Sequence, residues 1–210
     1  MLNPDEPPPG LPATCAVALK EWAGVCDALA TGRQILLLRK GGIAEGPGGF
    51  EPEHDACWLL PTSTHEAEQG LRVASPRIET PRGEVGLHVL LIIENIHYIE
   101  NIRVLEQLEP FHVWTAATVR KRFEYRRQGL WVIGVRAYRR AGPHRVRLDD
   151  GQAGCRSWVA LDEPLSTSGL EPVLADDEAA DRRRRWTTAL GAAMRRVTTP
   201  GVGSKEGRDG

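Results

Sequence analysis

The apolar positions of this chain gather into short runs, parted by polar stretches rich in glycine and proline. From Thr14 they recur at Cys15, Ala18, Leu19, Trp22, Cys26 and Leu29. That spacing predicts a helix with Thr14 as its N-cap and Gly32 past its end. A strand over residues 22–27 competes with it, because Trp22 and Val25 also suit a sheet. Residues 35–39 read as a short apolar strand broken by Gly41-Gly42, and Gly46-Pro47-Gly48-Gly49 predicts a loop. Residues 57–60 form the next predicted strand, stopped by Pro61. Residues 66–84 are polar, contain Pro76 and Pro81, and predict a long surface loop.

Residues 86–93 are strongly β-like through Leu87, Val89, Leu90, Leu91, Ile92 and Ile93. The apolar pattern continues through Ile96, Tyr98 and Ile102, as one long bent strand or as two. Residues 104–108 predict a helical turn closed by Pro110, and Thr115 caps a short helix reaching about Phe123. The clearest strand is 130–138, with Trp131, Ile133, Val135 and Ala137 on one face and Val132, Gly134, Arg136 and Tyr138 on the other. Gly142-Pro143 predicts a turn, and residues 157–161 a last short strand. Residues 176–197 read as a helix with Trp186, Leu190, Met194 and Val197 on one stripe. Uneven strand spacing with few helices between argues against a doubly wound α/β fold. The expectation is an α+β fold: a mixed, largely antiparallel sheet, open or partly closed into a barrel, with two or three flanking helices. Residues 1–12 are expected as a disordered arm, 13–175 as one domain, 176–197 as the C-terminal helix and 198–210 as a disordered tail.

Composition narrows this picture. A 210-residue chain with 41% hydrophobic and 26% charged residues suits one globular domain with loose ends. No apolar run is long enough to span a membrane, and the N-terminus lacks a signal-peptide pattern, so a cytoplasmic location is expected. The four cysteines, Cys15, Cys26, Cys57 and Cys155, then read as buried thiols rather than disulfides. The net charge of −1 conceals a division. Residues 43–70 hold six acids (Glu45, Glu51, Glu53, Asp55, Glu66, Glu68) and no Lys or Arg. Residues 120–147 hold ten Lys or Arg and one acid, Glu124.

Several chemistries are excluded by absent motifs. No lysine is followed by Ser or Thr, which removes the phosphate-binding P-loop. No serine is flanked by glycines as a nucleophile elbow requires. A restriction-type nuclease core wants Glu-x-Lys, but Ala18, Leu38, Val119 and Gly203 stand two residues before the four lysines. The Leu-Leu-Leu-Arg strand is superficially like a Nudix opening, but the paired-glutamate helix is missing.

Four constellations remain. His54, Cys57 and His65 are competent zinc ligands, with one short spacing where zinc sites usually show two. Glu51, Glu53 and Asp55 alternate, which puts three carboxylates on one side of an extended segment, as a Mg²⁺ or acid–base site or as a solvated edge. Arg39-Lys40-Gly41-Gly42 suits either an anion cradle or a turn needing positive φ. In the basic block, Arg120, Lys121, Arg122, Arg126 and Arg127 interleave with Phe123 and Tyr125, ahead of Trp131, Arg136, Tyr138, Arg139 and Arg140. Cations beside aromatic faces suit nucleic acid, or pair with the acidic segment. Arg120, Tyr125, Arg126, Arg127, Arg136 and Tyr138 are the candidate nucleic-acid contacts. Arg39, Lys40, His54, Thr62, His65 and His112 are the candidate pocket, although His112, between Phe111 and Trp114, also reads as a satisfied core or edge histidine. Cys155 reads as structural. The Arg182–Arg185 run reads as a solvated helix face, with Glu178–Arg182 and Asp181–Arg185 at i, i+4.

Together Leu19-Lys20-Glu21-Trp22, Leu36 to Ile43, Phe50 to His54, Pro61-Thr62 with His65, Pro110 to Trp114 and Gly154 to Trp158 resemble the bacterial family catalogued as domain of unknown function 1802. The family carries Tyr-Pro-Thr-Tyr before His-Gln; here Leu60, Ser63 and Glu66 replace both tyrosines and the glutamine. Some members occur beside restriction-endonuclease-like domains, and the resemblance therefore implies a DNA-related accessory role. The leading expectation is a non-catalytic module binding nucleic acid, with no cofactor and no membrane, accessory to a restriction or defence system. The rivals are a metal-dependent hydrolase built on His54, Asp55, His65 and Glu66, and a scaffold whose C-terminal helix docks a protein partner.

Overall fold

Residues 14–22 form a strand, β1 (Thr14–Trp22), and the helix begins only after it, as α1 (Ala23–Ala30). This corrects the helix expected from Thr14. Here and below, the structure is a computed structural model that describes residues 6–40, 50–63, 70–74, 84–149, 152 and 156–198. The spacing misleads because β1 is covered on both faces. Leu19 joins the main core, while Cys15 and Ala18 join a second, smaller cluster. A register shift between Cys15 and Val17 against the neighbouring strand also resets the alternation. A strand buried on both sides loses the period of two that separates it from a helix.

The other strands are β2 (Leu36–Arg39), β3 (Ala56–Thr62), β4 (Glu84–Ile99), β5 (Leu130–Arg147), β6 (Trp158–Ser166) and β7 (Glu171–Pro172). The sheet runs β2-β5-β4-β3-β1-β6, with β7 beside β5. Among the described strands, β1 and β3 pair in parallel and every other pairing is antiparallel. The fold is therefore α+β with a mixed, largely antiparallel sheet. It is not closed into a barrel, yet it curls. Arg39, ending one edge strand, donates a hydrogen bond to the Ser157 hydroxyl just ahead of the other.

Two prolines sit inside strands. Pro61 does not stop β3: it stands opposite Glu21 in the β1 ladder, while the β4 ladder covers only Ala56 to Trp58. On that unladdered side a missing N–H is tolerated. Gly142-Pro143 does not reverse the chain either. β5 continues to Arg147, and the pair lies in a bulge where the register jumps from Val89↔Arg139 to Leu87↔His144. The apolar run from residue 86 is one 16-residue strand.

Four helices occur among the described residues. α2 (Ile102–Glu106) takes its N-cap from the Asn101 side chain and is followed by a 3₁₀ turn at Glu109–Phe111. α3 (Ala116–Glu124) is capped by Thr115, whose hydroxyl accepts from the Thr118 N–H at 3.3 Å. α4 (Asp176–Thr198) lays Trp186, Leu190 and Ala193 into the main core. The rest of its expected stripe, Met194 and Val197, is exposed. Of its expected ion pairs Glu178–Arg182 forms at 2.7 Å, and Asp181 pairs with Arg184 at 3.0 Å. No helix among the described residues is long and apolar enough to cross a membrane. Of the expected arm, residues 6–12 are described, and Leu11 rests against the smaller core cluster. Residues 199–210 of the expected tail and most of the predicted 66–84 loop lie outside the described residues.

Candidate functional site

The curl of the sheet brings Glu21 of β1 against Arg39 of β2. Both are buried, at 2% and 8% exposure, and Arg39 Nη1 donates to Glu21 Oε2 at 2.8 Å. Arg39 donates also to Ser157 Oγ and to the Lys20 carbonyl at 3.2 Å. The other oxygen of Glu21 accepts from the Trp22 N–H at 2.9 Å. Arg122 of α3 completes the cluster: it donates to the Leu38 carbonyl at 2.9 Å and lies 4.0 Å over Trp22 and 5.4 Å over Trp114. Burial lowers its pKa to about 10, with Glu21 opposing and Arg39 reinforcing the shift. It stays charged at neutral pH, so two guanidinium groups face one carboxylate. Guanidinium stacks on aromatic faces more readily than an ammonium would, which suits arginine to this place.

Aromatic contacts extend the cluster outward. Arg39 lies 5.1 Å over Phe50, Phe50 stacks on Trp158 at 5.4 Å, and His54 meets the edge of Trp158 at 4.8 Å. Trp158 Nε1 donates to the Glu51 carbonyl at 2.8 Å. Arg39 and His54 of the expected pocket thus share one array. Thr62 lies at the end of β3, opposite Trp22. His65, Glu66 and the Gly41-Gly42 pair lie outside the described residues, as does Cys155.

Lys40 turns to another task. Its ammonium donates to the main-chain carbonyls of Phe123 at 3.3 Å, Gly129 at 2.7 Å and Arg127. Burial, and then Arg127, lowers its pKa. These bonds staple the turn between α3 and β5. Arg126 holds a left-handed conformation there, with φ 58°. Gly129 has φ 127° and packs so closely on Tyr98 that an added Cβ would stand 2.3 Å from the tyrosine oxygen. Tyr98 donates to the Gln128 carbonyl at 3.1 Å. The turn presents Tyr125, 43% exposed, with the Arg126 guanidinium 5.2 Å from its ring.

The candidate nucleic-acid residues divide into two places. Arg120, Tyr125, Arg126 and Arg127 lie on α3 and its following turn. Arg120 pairs with Glu106 at 2.6 Å and Arg127 with Glu100 at 3.1 Å, both exposed. Arg136, with only 13% of its side chain exposed, bonds Asp176 at 2.6 Å and the Leu174 carbonyl at 3.1 Å, which ties β5 to the start of α4. Tyr138 lies 5.8 Å beneath its guanidinium. Among the described residues, the carboxylate partners of Arg120, Arg127 and Arg136 are Glu106, Glu100 and Asp176.

His112, the last pocket candidate, is 4% exposed. It lines a cavity of about 140 Å³ between α2, the 3₁₀ turn and α3. Neither of its ring nitrogens has a hydrogen-bond partner of normal geometry among the described residues; the same holds for Trp114 Nε1 and Arg39 Nε. Such atoms are rare in folded proteins and mark places to look for a ligand. Burial, and then Arg72, lowers the His112 pKa to about 4, with the Trp114 main chain opposing. Arg72 also grips the segment, donating to the Glu109 carbonyl at 2.5 Å, to the His112 carbonyl and to Glu109 Oε1 at 3.1 Å. The imidazole is neutral at physiological pH.

Glu51, Glu53 and Asp55 are exposed and alternate with half-buried residues. Among the described residues, no group of three His, Cys, Asp or Glu side chains is placed to hold a metal. Cys57 is fully buried, and burial pushes its thiol far up. Sequence reasoning missed Glu21 and Arg72, and it placed Arg122 in the basic block without its stacking on Trp22. The signal for Glu21 was an acid placed directly against Trp22 in an apolar segment.

The family model described as a domain of unknown function, DUF1802, matches residues 18–185, well over half of the chain. The chain belongs to the DUF1802 family. The matched span contains Glu21, Arg39, His112 and Arg122, so both the buried ion pair and the cavity lie within the DUF1802 domain. No curated protein matches the chain. Crystal structures of ASCH from Zymomonas mobilis are similar at 13% identity. The unsubstituted protein has a TM-score of 0.40, covering 80% of this chain and 93% of that one. Two single-residue variants score 0.41 and 0.39. Likeness at that level carries no argument about residues or activity.

Proposed function

We propose that this DUF1802 domain is a non-catalytic module that binds nucleic acid along the outer side of α3 and the turn after it. The observation that carries the reading is Tyr125, an exposed ring flanked by Arg126 and Arg127 on a turn held by Lys40. A base can stack on the ring while Arg120, Lys121, Arg126 and Arg127 meet phosphates. The turn is already ordered by main-chain bonds, so binding immobilises little. Arg136 and Tyr138 are left out of the surface, because Arg136 is engaged by α4.

Fluorescence anisotropy with single-stranded DNA and RNA of equal length, across a salt series, tests the reading. Each phosphate neutralised on a single strand contributes about 0.7 to the slope of log affinity against log salt. Joint replacement Arg126→Ala and Arg127→Ala should lower that slope by about 1.4, as two phosphate contacts predict. Tyr125→Ala should weaken binding roughly ten-fold, the scale of one lost stacking contact. Arg136→Ala should leave the slope unchanged. Absence of binding at low salt sinks the reading. The DNA and RNA arms also bear on the accessory role in restriction or defence, which requires that DNA be bound.

A further inference from the structure

A buried imidazole whose nitrogens lack partners of normal geometry is costly unless something else meets them. His112 is such a group, and it lines a cavity while its ring packs beside Trp114 at 5.6 Å. The other walls are Ile102, Leu105, Ala116, Ala117 and Val119, and the Arg120–Glu106 ion pair stands at the same cavity. The lining is apolar on the α2 and α3 faces, with Glu106, Glu109 and Arg120 among its residues and one neutral ring that offers one donor and one acceptor. Size narrows the occupant. An engineered cavity of about 150 Å³ holds one benzene, whereas pockets for drug-sized ligands start at about 300 Å³. The space of about 140 Å³ therefore suits one six-membered ring and is small for a purine nucleotide. Arg120 belongs both to this cavity and to the surface where a strand would run.

We propose that the His112 cavity receives a single pyrimidine base unstacked from a bound strand. Its polar edge, which carries donor and acceptor side by side, meets the His112 imidazole, and its ring lies between α2 and α3. This inference rests on the nucleic-acid reading above and deepens it.

The test uses the full chain and three single strands of equal phosphate count: oligouridylate, oligoadenylate and an abasic strand. Ala117→Leu fills the cavity from an exposed helix position with a good helix former, so folding is retained. His112→Gln keeps a donor and an acceptor. The wild type should bind oligouridylate roughly ten-fold more tightly than the abasic strand, the scale of one accommodated base. Oligoadenylate should fall between them, because Tyr125 stacks any base. Ala117→Leu should bring oligouridylate down to oligoadenylate with the salt slope unchanged, and His112→Gln should retain part of the preference. No uridylate preference, or one that survives Ala117→Leu, overturns the base pocket. Salt-dependent binding of the abasic strand would then leave the broader reading standing. Failure to bind any strand at low salt overturns both. Uridine alone is the last arm: if it shifts the His112 ring signals in NMR while no strand binds, the cavity is a free-nucleoside site and the strand proposal falls.

Discussion

Glu21 has Arg39 at 2.8 Å and Arg122 within electrostatic reach, in a place that water barely enters. Removing one member of a buried ion pair leaves the other charged without compensation, at a cost of about 3–5 kcal/mol. Glu21→Ala should therefore lower the unfolding free energy by about that amount, measured by urea denaturation. The joint change Glu21→Gln and Arg39→Met should cost less than Glu21→Ala alone. A single-variant loss below about 1 kcal/mol would mean that the pair is solvated like a surface bridge. His112 makes a different prediction. Its folded pKa of about 4 lies below the ordinary 6.5, so the unfolded chain takes up its proton first as pH falls. The stability this group contributes is complete above pH 6.5 and is lost progressively down to pH 4, about 3 kcal/mol in all. His88 and His144, also lowered mainly by burial, add the same sign. Unfolding free energy should rise from pH 4 to 6.5 in the wild type, and His112→Gln should flatten that rise. Arg39 and His112 stand out in the sequence because each puts a polar group at the end or in the middle of an apolar run, although His112 also read there as a satisfied histidine. Glu21 was not legible, nor was the joining of Arg122 to it, because no local pattern reports that two strands far apart in the sheet order meet by curling.

The elements show where periodicity carries information and where it fails. α3, α4 and the long β4 were legible, because each has a cap or an unbroken apolar run. β1 was not, because burial on both faces and a register shift gave it helical spacing. Gly142-Pro143 looked like a turn because a bulge within a paired strand uses the same residues. The docking of α4 depends on one glycine. A Cβ at Gly134 would stand 2.5 Å from Trp186 Cζ2, and Trp186 is 1% exposed. Gly134→Ala should displace the indole and cost about 1–3 kcal/mol, the usual range for overpacking. Hydrogen exchange should show α4 losing protection while β1 and β3 keep theirs. Equal loss across the sheet would mean that α4 is part of the cooperative core rather than a layer docked on it.

At the scale of the whole molecule, a net charge of −1 argues for no polyanion at all, and the arrangement of charge decides the matter. Among the described residues, the acids that pair with the α3 surface are exposed: Glu106 on Arg120, and Glu100 on Arg127. Exposed pairs of this kind are worth about 0–1 kcal/mol, so a phosphate that supplies a better partner can displace the carboxylate. Glu100 and Glu106 then act as competitors for the same guanidinium groups, and removing their charge should help a strand rather than harm the fold. Glu100→Gln with Glu106→Gln should tighten oligonucleotide binding by roughly two- to ten-fold at low salt, the scale of two weak surface pairs. The gain should shrink as salt screens the surface, since the Debye length falls from about 30 Å at 0.01 M to about 10 Å at 0.1 M. Unfolding midpoints should hardly move. Glu84→Gln, which frees Arg147 away from α3, is the control and should leave affinity unchanged. An equal gain from Glu84→Gln would show that binding follows overall charge and that α3 with its turn has no special part in it.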